Sequence, residues 1–205
     1  EISSLSTYVL IALGRDRRAL TSSYQYLIMG SIGATFIGIG IGFLYLMTGT
    51  LNLADIATKI TEVESSRPIL AALAFLTVGI SLKVALFPLH QWLPNAYTYA
   101  PSAVTAFLAA TATKVSLYVL FRFYFTVFGE TFIFTELPLP RIMLVLSLFA
   151  MFAANVVAVF QSNLKRLFAY SSVGQIGYIT LGLSFDSLNG LTASITHIFN
   201  HGIAK

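Results

Sequence analysis

Residues 82–94 read LKVALFPLHQWLP, an apolar stretch that a lysine and a proline interrupt. A charged side chain in the hydrocarbon core of a membrane costs at least a few kcal/mol. Proline inside a helix removes a backbone hydrogen bond and bends or breaks the helix. Either this stretch lies outside a membrane, or Lys83 is needed at that depth.

The composition places the chain in a membrane. Of its 205 residues, 57% are hydrophobic and only 10% are charged, and the mean hydropathy is +0.81. Soluble domains carry about 25% charged residues. We therefore predict an all-α fold, a polytopic bundle of transmembrane helices in contact with the lipid bilayer.

The positive charge of the chain does not indicate nucleic-acid binding. The formal net charge is +4, but the basic residues are scattered, and several lie inside apolar segments. One tight cluster, Arg15, Arg17 and Arg18, is typical of a cytoplasmic loop that anchors a membrane protein. No nucleic-acid partner is expected.

The residues that are missing limit the chemistry of this stretch. It has no cysteine, which excludes disulfides, thiol catalysis and iron–sulfur ligation by these residues. No dinucleotide-binding fingerprint follows a strand, so we expect no cofactor. The sequence begins with Glu1 inside an apolar pattern and stops at Lys205 inside another, so we interpret it as an interior piece of a longer subunit.

Apolar segments of about 20 residues can span a membrane as helices. By this rule the chain forms one partial transmembrane domain, with five full spans between two partial ones. The predicted spans are about 1–13, 22–48, 69–93, 101–128, 142–161, 167–185 and 188–205. The polar residues 49–68 are predicted to form an amphipathic helix on the membrane surface. Five glycines of the second span are expected to allow close helix packing: Gly30, Gly33, Gly38, Gly40 and Gly42.

The charges of the loops predict the orientation. Alternation places the segments 14–18, 94–100 and 162–166 on one face, with five Lys or Arg residues, against three in the opposite loops. Because basic loops stay in the cytoplasm, we expect the first face to be cytoplasmic.

Four ionisable residues share one predicted depth. A rise of 1.5 Å per residue puts Lys83 roughly 15 Å and Lys114 roughly 20 Å from the ends of their helices. Glu1 and Lys205 fall in the same layer, near the middle of a core about 30 Å thick. A desolvated lysine can exchange protons near neutral pH, whereas arginine cannot. The alternative is a set of structural salt bridges, which three lysines and one carboxylate would not complete.

Two neighbours of Lys83 have more than one interpretation. Pro88 is expected to break the helix one turn after Lys83, and broken helices recur at ion sites of transporters, although a simple packing kink is the alternative. His90 lies nearer the cytoplasmic end. It is a candidate group for proton uptake, or else a polar residue at the membrane interface.

Three residues of the last segment lie on one helix face. His197, His201 and Lys205 are spaced four residues apart. A metal site is disfavoured because neither an HExxH pattern nor a nearby carboxylate completes it. A hydrated proton path is the preferred interpretation. The polar side chains of the sixth span, including Gln175 and Tyr178, are interpreted as helix–helix contacts.

Several stretches together resemble one family. FPLHQWLPNAYTYAPSAVTAFLAATATKVSLYVLFRF (87–123), NLKRLFAYSSVGQIGYI (163–179), HIFNHGIAK (197–205) and EISSLSTYVL (1–10) are similar to parts of the antiporter-like membrane subunits. That family is shared by Mrp-type cation/proton antiporters, respiratory NADH:quinone oxidoreductase and membrane-bound hydrogenases. The resemblance covers essentially the whole chain.

The resemblance implies roles for particular residues. Glu1 and Lys83 match the glutamate–lysine pair of the family, Lys114 matches the next lysine, and His201 with Lys205 matches the central relay. Pro88 matches the break of the discontinuous helix. The implied mechanism is a lateral relay in which the charge of each group sets the proton affinity of the next.

The resemblance also implies a setting and partners. The leading interpretation is the D-type subunit of an Mrp cation/proton antiporter, with other membrane subunits as its partners. The transported ions are expected to be protons, with sodium as a further candidate. The alternative is the equivalent subunit of NADH:quinone oxidoreductase or a membrane-bound hydrogenase, and whether the complex is an enzyme stays open. The expected location is a bacterial plasma membrane, or else an energy-transducing organelle membrane. A structural scaffold is the third possibility.

Overall fold

The structure is a computed structural model that describes residues 2–14, 16–63 and 66–205. These residues form an all-α bundle and contain no β-strand. The α-helices are α1 (Ile2–Ala12), α2 (Arg17–Thr48), α3 (Leu53–Lys59), α4 (Arg67–Val84), α5 (Trp92–Tyr99), α6 (Ser102–Ala110), α7 (Ala112–Arg122), α8 (Leu139–Val159), α9 (Leu164–Ser184) and α10 (Leu188–Ala204). A 3₁₀ turn at Ile60–Glu62 and π-helical turns at Phe123–Phe128 and Phe132–Glu136 complete the regular structure. Arg15, one member of the predicted basic cluster, lies outside the described residues.

The longest helix, α2, has clear signals at both ends. The Asp16 side chain accepts a hydrogen bond from the Arg18 N–H at 3.3 Å, which caps the N-terminus. At the C-terminus, Gly49 adopts a left-handed conformation (φ 70°) and its N–H donates to the Tyr45 carbonyl. The 32 residues of this helix are more than enough to cross a membrane.

The glycines of α2 divide into two groups. A Cβ at Gly40 would lie 2.6 Å from Leu76 Cγ, and one at Gly33 would lie 3.1 Å from the Gly79 carbonyl oxygen, both on α4. Gly38 and Gly42 have no neighbouring atom of the described residues within 4 Å of the corresponding Cβ position. Glycine therefore permits close contact of α2 with α4 at Gly33 and Gly40, as predicted, and with Tyr8 of α1 at Gly30, but not at Gly38 or Gly42.

The discontinuous helix ends earlier than predicted. α4 stops at Val84, because Ala85 adopts a left-handed conformation (φ 63°). The Ala85 N–H donates to the Leu82 carbonyl at 3.3 Å, and the Leu86 N–H donates to the Ser81 carbonyl at 3.0 Å. This pair of bonds is a Schellman cap. The interruption that Pro88 predicted within the span 69–93 is present, and it begins at Ala85, three residues before the proline.

The chain becomes helical again where a loop was predicted. Residues 92–99 form α5, and the Trp92 indole N–H donates to the Leu82 carbonyl at 2.9 Å. This bond ties α5 to the end of α4 and satisfies a buried carbonyl. The fourth predicted span is also interrupted, because α6 ends at Ala110 and α7 begins at Ala112.

Small residues and hydrogen bonds join α8 to α9. A Cβ at Gly177 would lie 2.9 Å from the Ala150 Cβ, and the Ser147 and Thr180 hydroxyls lie 2.7 Å apart. Both hydroxyl residues are fully buried. The connection 129–141 between the predicted spans 101–128 and 142–161 is partly helical, with the π-helical turn at Phe132–Glu136 and the start of α8.

The predicted surface segment 49–68 contains α3. Asn52 caps this helix by accepting from the Ala54 N–H at 3.0 Å, and Lys59 pairs with Asp55 on its exposed side at 3.0 Å. Ile56 and Ile60 are buried on the opposite side. The short helix is therefore amphipathic, as predicted.

Among the described residues, four helical segments are long and apolar enough to cross a membrane: α2, α4, Ser102–Phe128 and α8. α9 has 21 residues, and it corresponds to the fifth predicted full span, but it is not one of the four. Its serines, glutamine and tyrosines lower its mean hydropathy. They are tolerated because α9 buries much of its surface against other helices.

Candidate functional site

Lys114 lies at the centre of the candidate site. It belongs to the first turn of α7 and is 7% exposed. Its Nζ donates to the Ala109 carbonyl at the end of α6, across the interruption at Thr111. The lysine therefore binds backbone that the broken helix presents to it.

A second side chain uses the same break. The Tyr97 hydroxyl of α5 donates to the Leu108 carbonyl at 3.2 Å. Tyr97 is itself buried, so the exposed polar backbone of α6 is satisfied inside the bundle. No strong sequence signal marks this break, because residues 110–113 contain neither proline nor glycine.

His201 of α10 is buried next to the lysines. It is 5% exposed, and neither of its ring nitrogens has a hydrogen-bond partner among the described residues. It lies within electrostatic range of Lys114, Lys205 and His197. Buried polar groups are almost always hydrogen-bonded. The two ring nitrogens of His201 have no such partner in the part of the chain that the structure describes, and they are available to exchange protons with water.

His197 connects His201 to α9. The two imidazole rings stack with centroids 6.4 Å apart, and His197 Nε2 lies 2.6 Å from the Gln175 carboxamide oxygen. The Tyr178 ring lies 6.0 Å from the His197 ring. Gln175 was predicted to be a helix–helix contact, and here that contact orients a histidine of the candidate relay.

Lys205 follows at the end of α10. Its Nζ donates to the Phe168 carbonyl at 3.0 Å and lies 5.0 Å from the centre of the Phe168 ring. It lines a cavity of about 260 Å³ together with Ser102, Thr105 and Ser172. Ala109, whose carbonyl binds Lys114, also lines this cavity.

Lys165 lines both this cavity and a second one. The second cavity, of about 390 Å³, is lined by Asp16, Thr98, Pro101 and Lys165. Lys165 Nζ donates to the Ala100 carbonyl at 3.0 Å. From the sequence, Lys165 was interpreted only as a membrane anchor. Its sequence spacing from the other candidate residues does not indicate that it lines two cavities.

Lys83 occupies the last turn of α4 and is partly buried, two residues before the left-handed Ala85. α4 packs against α7, the helix that carries Lys114. Glu1, the predicted partner of Lys83, lies outside the described residues, so the glutamate–lysine pair stays a prediction.

His90 is separate from the cluster. Its ring stacks on Phe87 at 5.3 Å and meets the edge of Tyr170 at 6.5 Å, and its Nδ1 is buried without a partner among the described residues. It lines neither of the two cavities that Lys165 lines. A role for His90 in proton uptake therefore stays a prediction.

The described part of the chain contains no group of three His, Cys, Asp or Glu side chains that could hold a metal ion. The structure brings together Lys114, His197, His201 and Lys205, and it adds Lys165 and Gln175. This cluster of ionisable groups next to partly polar cavities is suited to moving protons.

Known proteins share both the sequence and the fold. The family model for the transmembrane part of NADH:quinone oxidoreductase and Mrp antiporter subunits matches residues 1–205. The chain is 42% identical over its whole length to the N subunit of NADH-quinone oxidoreductase from Desulforudis audaxviator, and 31% identical to the D subunit of the Na(+)/H(+) antiporter from Alkalihalophilus pseudofirmus. It spans 40% and 41% of those proteins.

A solved structure supports the same relationship. A chain of the membrane-bound sulfane sulfur reductase, an archaeal respiratory membrane complex, superposes with a TM-score of 0.88 at 33% identity. The match covers 98% of this chain and 41% of that one. The chain thus belongs to the family of antiporter-like membrane subunits of NADH:quinone oxidoreductases and Mrp antiporters.

Proposed function

We propose that this chain forms part of a proton-translocating path through a membrane subunit. The path runs laterally through Lys83, Lys114, His201 and Lys205, with His197 as a neighbouring group and Glu1 as the partner of Lys83. The observation that carries the proposal is His201, which is buried, has no hydrogen-bond partner among the described residues and lies within electrostatic range of two lysines.

Electrostatic coupling is the proposed principle of the relay. Groups that interact strongly do not titrate independently, so a proton bound at one site changes the affinity of the next. Buried cations of the same sign repel each other strongly in a medium of low dielectric constant. A change in the charge of Lys83 would thus alter the proton affinity of Lys114 and then of Lys205.

The cavities around Lys165 support an aqueous connection to one face of the bundle. The outer of the two is lined by Asp16 and Pro101, and the inner one by Lys205. Lys165 lines both. Protons from that face would reach the cluster through Lys165, while His90 is the other candidate for uptake.

The relatives leave two settings for this activity. Sequence identity is higher to a subunit named for NADH-quinone oxidoreductase than to one named for a Na(+)/H(+) antiporter, 42% against 31%. That difference favours the oxidoreductase setting, which was the alternative on the sequence alone. In both settings the chain works with other membrane subunits, and we propose the plasma membrane of a bacterium as its location.

Lys114→Arg is the decisive test of the relay. Arginine keeps the positive charge and can still donate to the Ala109 carbonyl, but it does not release a proton. The full-length protein in its complex is reconstituted into liposomes, and proton flux under an imposed pH gradient is followed with a pH-sensitive dye. We expect flux to fall at least about a hundredfold, as for loss of a proton-transfer group, while the complex still assembles.

Two further measurements separate the alternatives. A scaffold role predicts that Lys114→Arg preserves function and that Lys114→Met prevents assembly, so normal flux in the arginine variant contradicts the relay.

Repeating the flux measurement with an imposed sodium gradient distinguishes the antiporter setting from the oxidoreductase setting. Proton flux driven by sodium supports an antiporter, and its absence supports the oxidoreductase-type complex.

A further inference from the structure

A long groove runs down one side of the bundle, away from the lysine and histidine cluster. It has a volume of about 350 Å³ and lies between α4 and the start of α8. Its walls are almost entirely aliphatic or aromatic, with Thr77 and Ser81 as the exceptions. Thr77 already shares a hydrogen bond with Tyr124 at 3.0 Å, and Ser81 is 4% exposed. The groove is therefore apolar.

The length of the groove matches one leaflet of a bilayer. Along α4 it extends from Leu70 to Ser81, which is roughly 16 Å at the rise of an α-helix. The hydrocarbon core is about 30 Å thick, so the groove covers about half of it. Its deep end is formed by Phe87, Pro88 and Leu89, the segment that follows the end of α4.

A polar cavity continues from the shallow end of the groove. This cavity, of about 380 Å³, shares Leu137 and Pro138 with the groove and adds Glu136 and Arg141. Both charged side chains are exposed, and neither forms an ion pair with another described residue. One site thus combines an apolar slot with an adjacent pair of opposite charges at the membrane surface.

We propose that the groove and this cavity together bind one phospholipid with an ethanolamine head group. One acyl chain lies in the groove, the phosphate binds the Arg141 guanidinium, and the ammonium binds the Glu136 carboxylate. Guanidinium groups bind phosphate in a bidentate geometry. A purely anionic head group would face Glu136 without a compensating cation. A choline head group would offer that carboxylate no N–H donor.

The acyl chain contacts the break of the discontinuous helix. Its end packs against Phe87 and Pro88, four to five residues after Lys83. The lipid therefore packs directly against the non-helical segment that follows α4. This inference stands independently of the proton relay, since none of the relay residues lines the groove.

The test compares two valine-to-phenylalanine variants. Val78 lines the groove and is 38% exposed, whereas Val145 is 49% exposed on α8 and does not line it. The full-length protein is placed in nanodiscs of mixed phosphatidylethanolamine, phosphatidylglycerol and phosphatidylcholine, and retained lipids are identified by native mass spectrometry. We expect enrichment of phosphatidylethanolamine in the wild type and in Val145→Phe, and its loss in Val78→Phe.

Charge variants test the head group. Arg141→Gln should lower the enrichment about fivefold, the effect of removing one interfacial cation, and Glu136→Gln should remove the preference over phosphatidylglycerol. The proposal is overturned if the wild type retains no lipid, as when another segment of a longer chain fills the groove. Equal enrichment in both valine variants, or a preference for phosphatidylglycerol in the wild type, also overturns it.

Discussion

At the scale of single residues, Lys165 is the side chain whose interpretation changes most. Its position next to Arg166 at the start of a helix is typical of a membrane anchor. In the fold its Nζ instead binds the Ala100 carbonyl, and the residue lines two partly polar cavities. The anchor and the uptake interpretations predict different results for its removal.

Lys165→Gln is expected to lower proton flux at least about tenfold, because a group that exchanges protons between the cavities is lost. The measurement is dye-monitored flux in liposomes, with the amount of assembled complex determined in parallel. Lys59→Gln is the matched control, since Lys59 is about half exposed and pairs with the neighbouring Asp55 on α3. Equal flux in the two variants would favour the anchor interpretation.

Residue type and spacing predicted part of the cluster. Depth along the chain selected Lys114 and Lys205, helical spacing selected His197 and His201, and the structure brings all four together. Spacing could not predict Gln175 as the partner of His197 or Lys165 as the wall of two cavities, because both depend on contacts between distant segments. Glu1 lies outside the described residues.

At the scale of helices, the two breaks show what sequence patterns miss. Pro88 correctly indicated an interruption of the helix, but the helix already ends at an alanine in a left-handed conformation. That conformation is unfavourable for alanine by about 1–2 kcal/mol, so the conformational preference of alanine did not indicate that the helix ends there. The cap and the bond from Trp92 to Leu82 hold it in place. The break at Thr111 had no comparable signal.

The contact between α2 and α4 leads to a prediction with an internal control. A Cβ at Gly79 would lie 2.7 Å from the Gly33 carbonyl oxygen, so Gly79→Ala must push two backbones apart. We expect a loss of about 1–3 kcal/mol in stability, the usual cost of overpacking. Thermal unfolding of the full-length protein in detergent, followed by intrinsic fluorescence, measures the effect.

Gly38→Ala serves as the matched control on α2. No neighbouring atom of the described residues lies within 4 Å of the added methyl group, and alanine is about 1 kcal/mol better than glycine inside a helix. This variant should be as stable as the wild type or more so. If both variants lose stability equally, close contact at Gly79 does not limit the packing of these helices.

At the scale of the whole molecule, the fold brings together segments that the alternation of the predicted spans placed on one face. Leu13 and Asp16, the end of α5, and Lys165 line a single cavity. Their contact in the structure supports the common face that the alternation predicts. The count of Lys and Arg, five against three, concerns only which side of the membrane this face occupies. Which side of the membrane this face occupies stays a prediction.

Cysteine labelling decides the orientation. α8 connects Glu130 on one side to Ser162 on the other, and with 21 residues it is long and apolar enough to cross the membrane. Both positions are exposed.

Single Ser162→Cys and Glu130→Cys variants are made in a full-length protein without other accessible cysteines and treated in intact cells with a membrane-impermeant maleimide. Because the segment that contains Lys165 and Arg166 is predicted to be cytoplasmic, the Glu130→Cys variant should react in intact cells and the Ser162→Cys variant only after the cells are opened. The reverse pattern would invert the predicted orientation and would place the proposed phospholipid in the cytoplasmic leaflet. Reaction of both variants in intact cells would show that α8 does not cross the membrane.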